Sequence, residues 1–423
     1  MEKFKIEGPV RLAGTIRASG AKNAALPSLA ATLLTDEPVR LLRLPDVRDI
    51  RTMCRLLEHL GSGCHADGGE GTVLQRTGEL PSGADAPYEL VKTMRASILV
   101  LGPILARRGQ ATVSLPGGCA IGNRPIEEHL KGMEALGAKI TLEGGYVTVE
   151  AAKLRGAKYR FGMVSVTGTE NVMMAAALAR GTTVLENAAR EAEITDLAAM
   201  LNKMGARISG AGTSTLEIEG VETLHGATHE IVADRIEAGT YLVGGVMTGG
   251  DVTVEGVAPE ALAPLVEKLE EAGAGVETSA ASVRAWADGK LKPALVETAP
   301  HPGFPTDLQA QFMALMTQAE GVSTVREFVF ENRFQHVSEL NRLGADIRVR
   351  NRTAKIRGRS KLSGARVMAT DLRASASLVL AGCAAHGTTL VDRIYHLDRG
   401  YEAMESKLQS LGARVERLDG DED

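Results

Sequence analysis

The chain has 423 residues, 44% of them apolar but only 3% aromatic, and a formal net charge of −5. That length suits two domains of about 200 residues each, with cores packed from Leu, Val, Ile, Ala and Met. The acidic balance argues against a nonspecific nucleic-acid binder. Cys54, Cys64, Cys119 and Cys383 show neither CxxC pairing nor histidines at zinc-finger spacing, so neither a disulfide framework nor a metal site is expected, which suits a reducing cytoplasm.

The amino terminus, MEKFKIEGPVRLAG, alternates like a strand and lacks the apolar run of a secretory signal. NAALPSLAATLL, starting at Asn23, is apolar on nearly all sides and predicts a buried helix. The most apolar run, 96–106, is about half of a membrane span and contains Gly102 and Pro103. It reads as a second buried helix, and no membrane association is expected. Four more such segments begin at Thr169, Asp234, Asp307 and Asp371. Lys22, Asn23, Arg95, Asn171, Asp234, Asp307, Asp371 and Arg373 fall at or near the starts of these helices, where free amides attract anions. For the aspartates, ordinary N-capping is the competing reading.

Residues 115–125, LPGGCAIGNRP, predict a loop, because Gly117, Gly118 and Gly122 permit positive φ while Pro116 and Pro125 cannot donate. Cys119 stands five residues before Arg124. The guanidinium favours a thiolate there, or both side chains meet one anionic ligand; the alternative is a cysteine serving as a small buried hydrophobe.

A short phrase recurs along the chain, with glycines at 61, 137, 205, 273, 344 and 412 in steps of 68 to 76 residues. An apolar stripe at intervals of three and four precedes each glycine, for example Leu197, Met200, Leu201 and Met204. Each copy thus contains an amphipathic helix closed by a glycine cap. The predicted unit is helix, strand, helix, strand, strand, present six times, with residues 1–20 completing the last copy. Three units form a first domain over 21–230. Three more, over 231–423 with 1–20, form a second, and a cleft is expected between them. RVRNRTAKIRGRSK, 348–361, alternates charges with Ile347, Val349, Ala354 and Ile356, so it predicts a hairpin with one solvated face rather than a nucleic-acid patch. No phosphate-binding glycine loop precedes a helix, and no nucleotide cofactor is expected.

SGAKNAALP from Ser19, KTMRAS from Lys92, LPGGCAIGNRP, ENAARE from Glu186, DRIEAGTY from Asp234, FPTDLQAQF from Phe304, ENRF from Glu331 and HLDRGYE from His396 together resemble the enolpyruvyl transferases along essentially the whole chain. The resemblance implies an α/β fold of two similar domains. Each is an inside-out α/β barrel of three βαβαββ-type units around buried central helices, with the active site in the cleft. It implies transfer of the enolpyruvyl group of phosphoenolpyruvate to the 3-hydroxyl of UDP-N-acetylglucosamine, with no cofactor. Lys22, Arg124 and Arg399 match the ligands of phosphoenolpyruvate. Cys119 matches the proton donor, which also forms a covalent adduct and is the target of the epoxide fosfomycin. Asp307 matches the candidate base.

Asn23, Arg95, Arg124, Pro125, Ile126, Glu127, Glu128, Ser165, Val166 and the region of Val329 match positions contacting the sugar nucleotide or the paired substrate. Arg333, Asp371 and Arg373 match supporting or cleft-closing groups. Met163 departs from relatives that carry a lysine, and Thr167-Gly168 stands where a Gly-Ala pair is common. The sister reaction on shikimate 3-phosphate and a non-catalytic sugar-nucleotide sensor are the alternatives.

Overall fold

The computed structural model describes residues 2–67, 71–76, 86–115 and 126–419, so Cys119, Arg124 and Pro125 lie outside the described residues. Two compact units share the chain: one takes residues 2–19 and 233–419, the other the described residues from 20 to 232. Each has its own apolar core.

The central helices carry almost no polar face because the fold leaves them none to display. In the unit of 20–232 they are Lys22–Ala31, Leu101–Arg108 with the 3-10 turn Arg95–Val100 leading into it, and Val166–Ala176. In the other unit they are Arg235–Met247, Gln309–Met316 and Leu372–Ala384. Close approach between them is built into the sequence. A Cβ at Gly102 would stand 2.3 Å from the main-chain oxygen of Asn171, so only glycine fits where these two helices meet.

The amphipathic helices Arg48–His59, Glu127–Ala135, Ala192–Lys203, Ala263–Glu271, His336–Arg342 and Met404–Ser410 cover the central ones. Their predicted stripes are inward: Leu197, Met200, Leu201 and Met204 are all fully buried. The six recurring glycines adopt φ of +80°, +94°, +100°, +85°, +95° and +93°. This left-handed conformation ends each helix and turns the chain into the next strand.

Among the described residues, six sheets complete the units. Where the sheet has four strands, a leading strand runs parallel to the strand that follows a central helix, as Lys158–Arg160 does beside Thr182–Glu186. The hairpin after the amphipathic helix, here Arg207–Ser209 with Thr215–Glu219, adds antiparallel. Among the described residues the remaining sheet has three strands, Gln110–Ser114, Tyr146–Glu150 and Lys139–Glu143, with the parallel bridge Ala86 to Val113 at the edge where the others have a leading strand.

The amino terminus corrects the expectation that residues 1–20 complete the last unit as one piece. Lys3–Gly8 does so, pairing antiparallel with both Gly387–Asp392 and Arg414–Leu418. With both edges of that strand occupied, Ala13–Arg17 cannot add beside it. It runs instead parallel to Asp251–Glu255, as the leading strand of the fourth unit. Thr228–Glu230, which precedes the helix Arg235–Met247 in sequence, correspondingly leads the first unit by pairing with Val39–Leu42.

The basic run is the hairpin Asp346–Arg350 with Thr353–Arg357, turning at Asn351 with φ +54°. Ile347, Ala354 and Ile356 are buried, but Val349, two residues before the turn at Asn351, is 42% exposed. Cys54 and Cys64, unpaired by their spacing, come together between helix Arg48–His59 and strand Ser62–Ala66, with sulfurs 2.8 Å apart and both thiols free. Among the described residues, no helix is long and apolar enough to cross a membrane.

Candidate active site

In the unit of 2–19 and 233–419, the candidate groups gather at the starts of two central helices. Asp307 lies in the 3-10 turn Thr306–Leu308 that opens Gln309–Met316. The N-cap positions of this turn and helix are Pro305 and Leu308, so Asp307 is not the cap residue; Oδ1 accepts from Arg333 Nη2 at 2.7 Å and Oδ2 from Arg373 Nε at 3.2 Å. N-capping does not describe Asp307. It does describe Asp371, whose Oδ1 accepts the amides of Arg373 and Ala374 at 2.9 and 3.0 Å, and Asp234, which caps Arg235–Met247.

Both arginines are buried, with side chains 6% and 4% exposed. Charge-assisted bonds to a common carboxylate offset the desolvation that burial imposes on them. The Arg373 guanidinium also lies 5.3 Å from the Tyr401 ring centre, an attractive cation–π placement. Tyr401 is held in turn by Thr240 and Gln311 through its hydroxyl, at 2.9 and 3.1 Å. Burial lowers the His336 pKa to about 4, against the field of Asp371 and helped by Arg333, so this imidazole is neutral at pH 7. Arg399 ends the turn Ile394–Arg399 and is half-buried, and Val329 is half-buried just beyond the strand Val322–Arg326.

In the unit of 20–232, Lys22 is the first residue of its central helix, 8% exposed, with Nζ 3.1 Å from Asp49 Oδ2. Asn23 follows, half-buried, and Arg95 opens its own 3-10 turn, also half-buried. Burial and the charge of Arg95 lower the His129 pKa to about 3. Asn171 Nδ2 meets His129 Nδ1 at 3.0 Å, and His129 Nε2 meets Thr167 Oγ1 at 3.1 Å. An amide nitrogen only donates, so the network assigns the proton of the neutral ring to Nε2.

Asn171 also accepts the Gly102 amide at 2.7 Å and donates to the Ile98 carbonyl at 2.8 Å, fastening the Arg95 turn to the next central helix. Ser165 is the N-cap of Val166–Ala176, accepting the Gly168 amide at 3.1 Å. Of the stretch 126–128, Ile126 is half-buried and Glu127 exposed, whereas Glu128 is buried. Glu128 accepts from the Tyr159 hydroxyl and the Gly162 amide, each at 2.9 Å. Met163 is 55% exposed, and Thr167 Oγ1 meets the buried His129 ring.

The structure therefore brings Asp307, Arg333, Asp371 and Arg373 into one cluster, and places Arg95 in the electrostatic surroundings of His129. Sequence reasoning missed Asp49, His129, Thr306, Glu327 and Tyr401. Asp49 carried a faint signal, as an acid in the first turn of an amphipathic helix.

The family model described as EPSP synthase (3-phosphoshikimate 1-carboxyvinyltransferase) matches residues 6–408. The chain belongs to this family of enolpyruvyl transferases. Within the family it is 55% identical over 421 residues to a UDP-N-acetylglucosamine 1-carboxyvinyltransferase of Koribacter versatilis, covering 99% of this chain and 97% of that one. It is 58% identical over 419 residues to the protein of the same name from an Anaeromyxobacter species, covering 99% of each. Among solved structures, the enolpyruvyl transferase NikO from Streptomyces tendae superposes with a TM-score of 0.88 at 27% identity, over 99% of each chain. EPSP synthase from Acinetobacter baumannii shares the fold, with a TM-score of 0.76 at 17% identity over 99% of this chain and 100% of that one.

Proposed function

We propose that this chain transfers the enolpyruvyl group of phosphoenolpyruvate to the 3-hydroxyl of UDP-N-acetylglucosamine and releases phosphate, at the committed step of peptidoglycan synthesis in the cytoplasm. The observation that carries this reading is the 55 to 58% identity, over nearly the whole chain, to relatives named for that reaction. The alternative on shikimate 3-phosphate draws on the description of the family model and on a solved relative at only 17% identity, which supports the shared fold alone, whereas the relatives at 55 to 58% identity carry the other name. A non-catalytic sensor has no need for a carboxylate oriented by two buried arginines.

The reaction is an addition followed by an elimination. In the first step the sugar oxygen bonds to C2 of phosphoenolpyruvate, the hydroxyl proton passes to a base, and C3 takes up a proton. Asp307 is the base, and Arg333 and Arg373 fix the direction of its carboxylate; such positioned proton transfer contributes roughly a hundredfold to ten-thousandfold. Cys119 is the donor to C3, a role suited to a thiol, whose pKa is closer to neutrality than that of a hydroxyl. In the second step the C2–O bond to phosphate breaks and C3 returns a proton, restoring the enol ether.

Lys22, Arg124 and Arg399 take the phosphate and carboxylate of phosphoenolpyruvate, the arginines in bidentate fashion. Asn23, Arg95, Arg124, Pro125, Ile126, Glu127, Glu128, Ser165, Val166 and Val329 serve the sugar nucleotide or the paired substrate.

The test is phosphate release from phosphoenolpyruvate with and without UDP-N-acetylglucosamine, followed by mass analysis of the sugar. Sugar-dependent release with an enolpyruvyl increment on the product is the expected result. Release with shikimate 3-phosphate alone selects the sister reaction, and binding of the sugar nucleotide without release selects the sensor.

A further inference from the structure

Glu327, just after the strand Val322–Arg326, is a buried carboxylate to which the proposed reaction gives no part, and it is only 1% exposed. Its two oxygens face different structures. Oε1 accepts from Thr298 Oγ1 at 2.8 Å and from the amides of Val329 and Phe330 at 2.8 and 3.0 Å. Oε2 accepts from Thr306 Oγ1 at 2.8 Å. Thr306 then accepts from Arg333 Nη1 at 2.8 Å, and the second terminal nitrogen of the same guanidinium donates to Asp307 at 2.7 Å.

Donor counting gives this chain a direction. A threonine hydroxyl has one proton, and an arginine nitrogen only donates. Since Arg333 supplies the proton of its bond to Thr306, the threonine proton is free to point at Glu327. The carboxylate thus orients Thr306 with its lone pairs toward Arg333, and Arg333 is held at two points, one on Thr306 and one on Asp307. A planar guanidinium held at two points loses its rotational freedom, so the hold on Asp307 Oδ1 is inherited from Glu327, while Arg373 holds Oδ2.

We infer that Glu327 is a positioning residue for the transfer reaction, acting through two separable arms: Oε2 aligns Asp307 by way of Thr306 and Arg333, and Oε1 shapes the main chain at Val329. The inference rests on the reading of Asp307 as the base.

Glu327→Gln separates the arms. The amide keeps one oxygen for Thr298 and the two main-chain amides, but it presents N–H donors to Thr306, whose hydroxyl must then turn. The expected result is a kcat lower by roughly ten- to a hundredfold, the size of loss that small misplacements of reacting groups produce, with KM for the sugar nucleotide changed less than about twofold. Thr306→Val, which keeps the shape and removes the hydroxyl, should reproduce that split, and Thr306→Ser should recover most of the lost rate. Glu327→Ala, which loses both arms, should also raise KM. Asp307→Asn serves as the reference.

An inactive Asp307→Asn enzyme beside a Glu327→Gln enzyme with unchanged kcat would overturn the positioning role alone, as would equal losses in Thr306→Ser and Thr306→Val. Wild-type rates in Asp307→Asn would overturn the base assignment and the positioning role together. If Glu327→Gln unfolds, the threonine pair decides the question by itself.

Discussion

Burial sets the charge states of several single residues in ways that bear on stability. Glu170 is 1% exposed, its buried Oε1 has no hydrogen-bond partner among the described residues, and its pKa is raised well above 4.5 by desolvation first and by Glu193 and Glu191 second. In the unfolded chain this carboxyl ionises near its ordinary value, while in the folded chain it holds its proton longer. The folded state therefore loses stability as pH rises from about 4.5 toward the raised folded pKa. Glu170→Gln removes this dependence. Its unfolding free energy in urea should gain on wild type as pH rises from 4.5 to 8, by at most about 1.4 kcal/mol per pH unit, and a constant difference across that range would sink the assignment.

His129 and His336 have the opposite sign. Their folded pKa values, about 3 and about 4, lie below 6.5, so the stability tied to their neutral rings is lost as pH falls from 6.5. Both proteins in the comparison keep these histidines, so the difference between them isolates Glu170. Of the residues in the site, those whose chemistry is local were legible. Asp371 looks like a cap and is one. Lys22 at a helix start is legible, but its partner Asp49 stands 27 residues away on another helix. Glu327 follows an alternating strand and looks like a solvent-facing acid; its burial arises from contacts with Thr298 and Thr306, which no local pattern announces.

At the scale of elements, the recurring glycine was the most informative signal, because one conformational demand, positive φ after a helix, repeats with the unit. The leading strands were hardest to read. They are as short as Lys158–Arg160 or Arg366–Met368, too brief to show alternation, and they are defined by parallel pairing with a strand far along the chain. Spacing also gave no reason to pair Cys54 with Cys64, since a helix end, a glycine turn and a strand together bring the two sulfurs within 2.8 Å. This contact predicts a cross-link. A peroxide should oxidise the two thiols to one disulfide, with loss of two hydrogens and release of water. Because Arg55 lies between the cysteines, trypsin should yield two peptides joined only by that bond and separated by reductant. Closing so short a loop should stabilise the first unit by no more than about 3 kcal/mol in urea. Cross-links that instead join Cys54 or Cys64 to Cys383 would show that the native contact does not direct the chemistry.

The route of the chain makes the two units unequal partners in folding. The unit of 20–232 contains all four strands of its first sheet, including the leading strand Thr228–Glu230, and its apolar core draws on residues from Ala21 to Ile231. The other unit is split. Lys3–Gly8 is an inner strand of its last sheet and Ala13–Arg17 an edge of another, so Phe4, Ile6, Leu12 and Ile16, none more than 6% exposed, are delivered from the far end of the chain. Burying those four side chains contributes on the order of 6 to 12 kcal/mol, comparable with the whole stability of an ordinary domain, about 5 to 15 kcal/mol.

A fragment of residues 20–232 should therefore unfold cooperatively in urea, whereas 233–423 alone should not. Since Lys3 faces Leu418 in antiparallel register, a short flexible linker can join the end of the chain to its beginning. The permuted fragment 233–423 followed by 2–19 should regain a cooperative transition. Fluorescence of Trp286, which lies on the sheet that receives Ala13–Arg17, gives a local probe of that recovery. A cooperative transition in 233–423 without the added strands would mean that the sheets close without them, and that the amino-terminal strands decorate the unit rather than complete it.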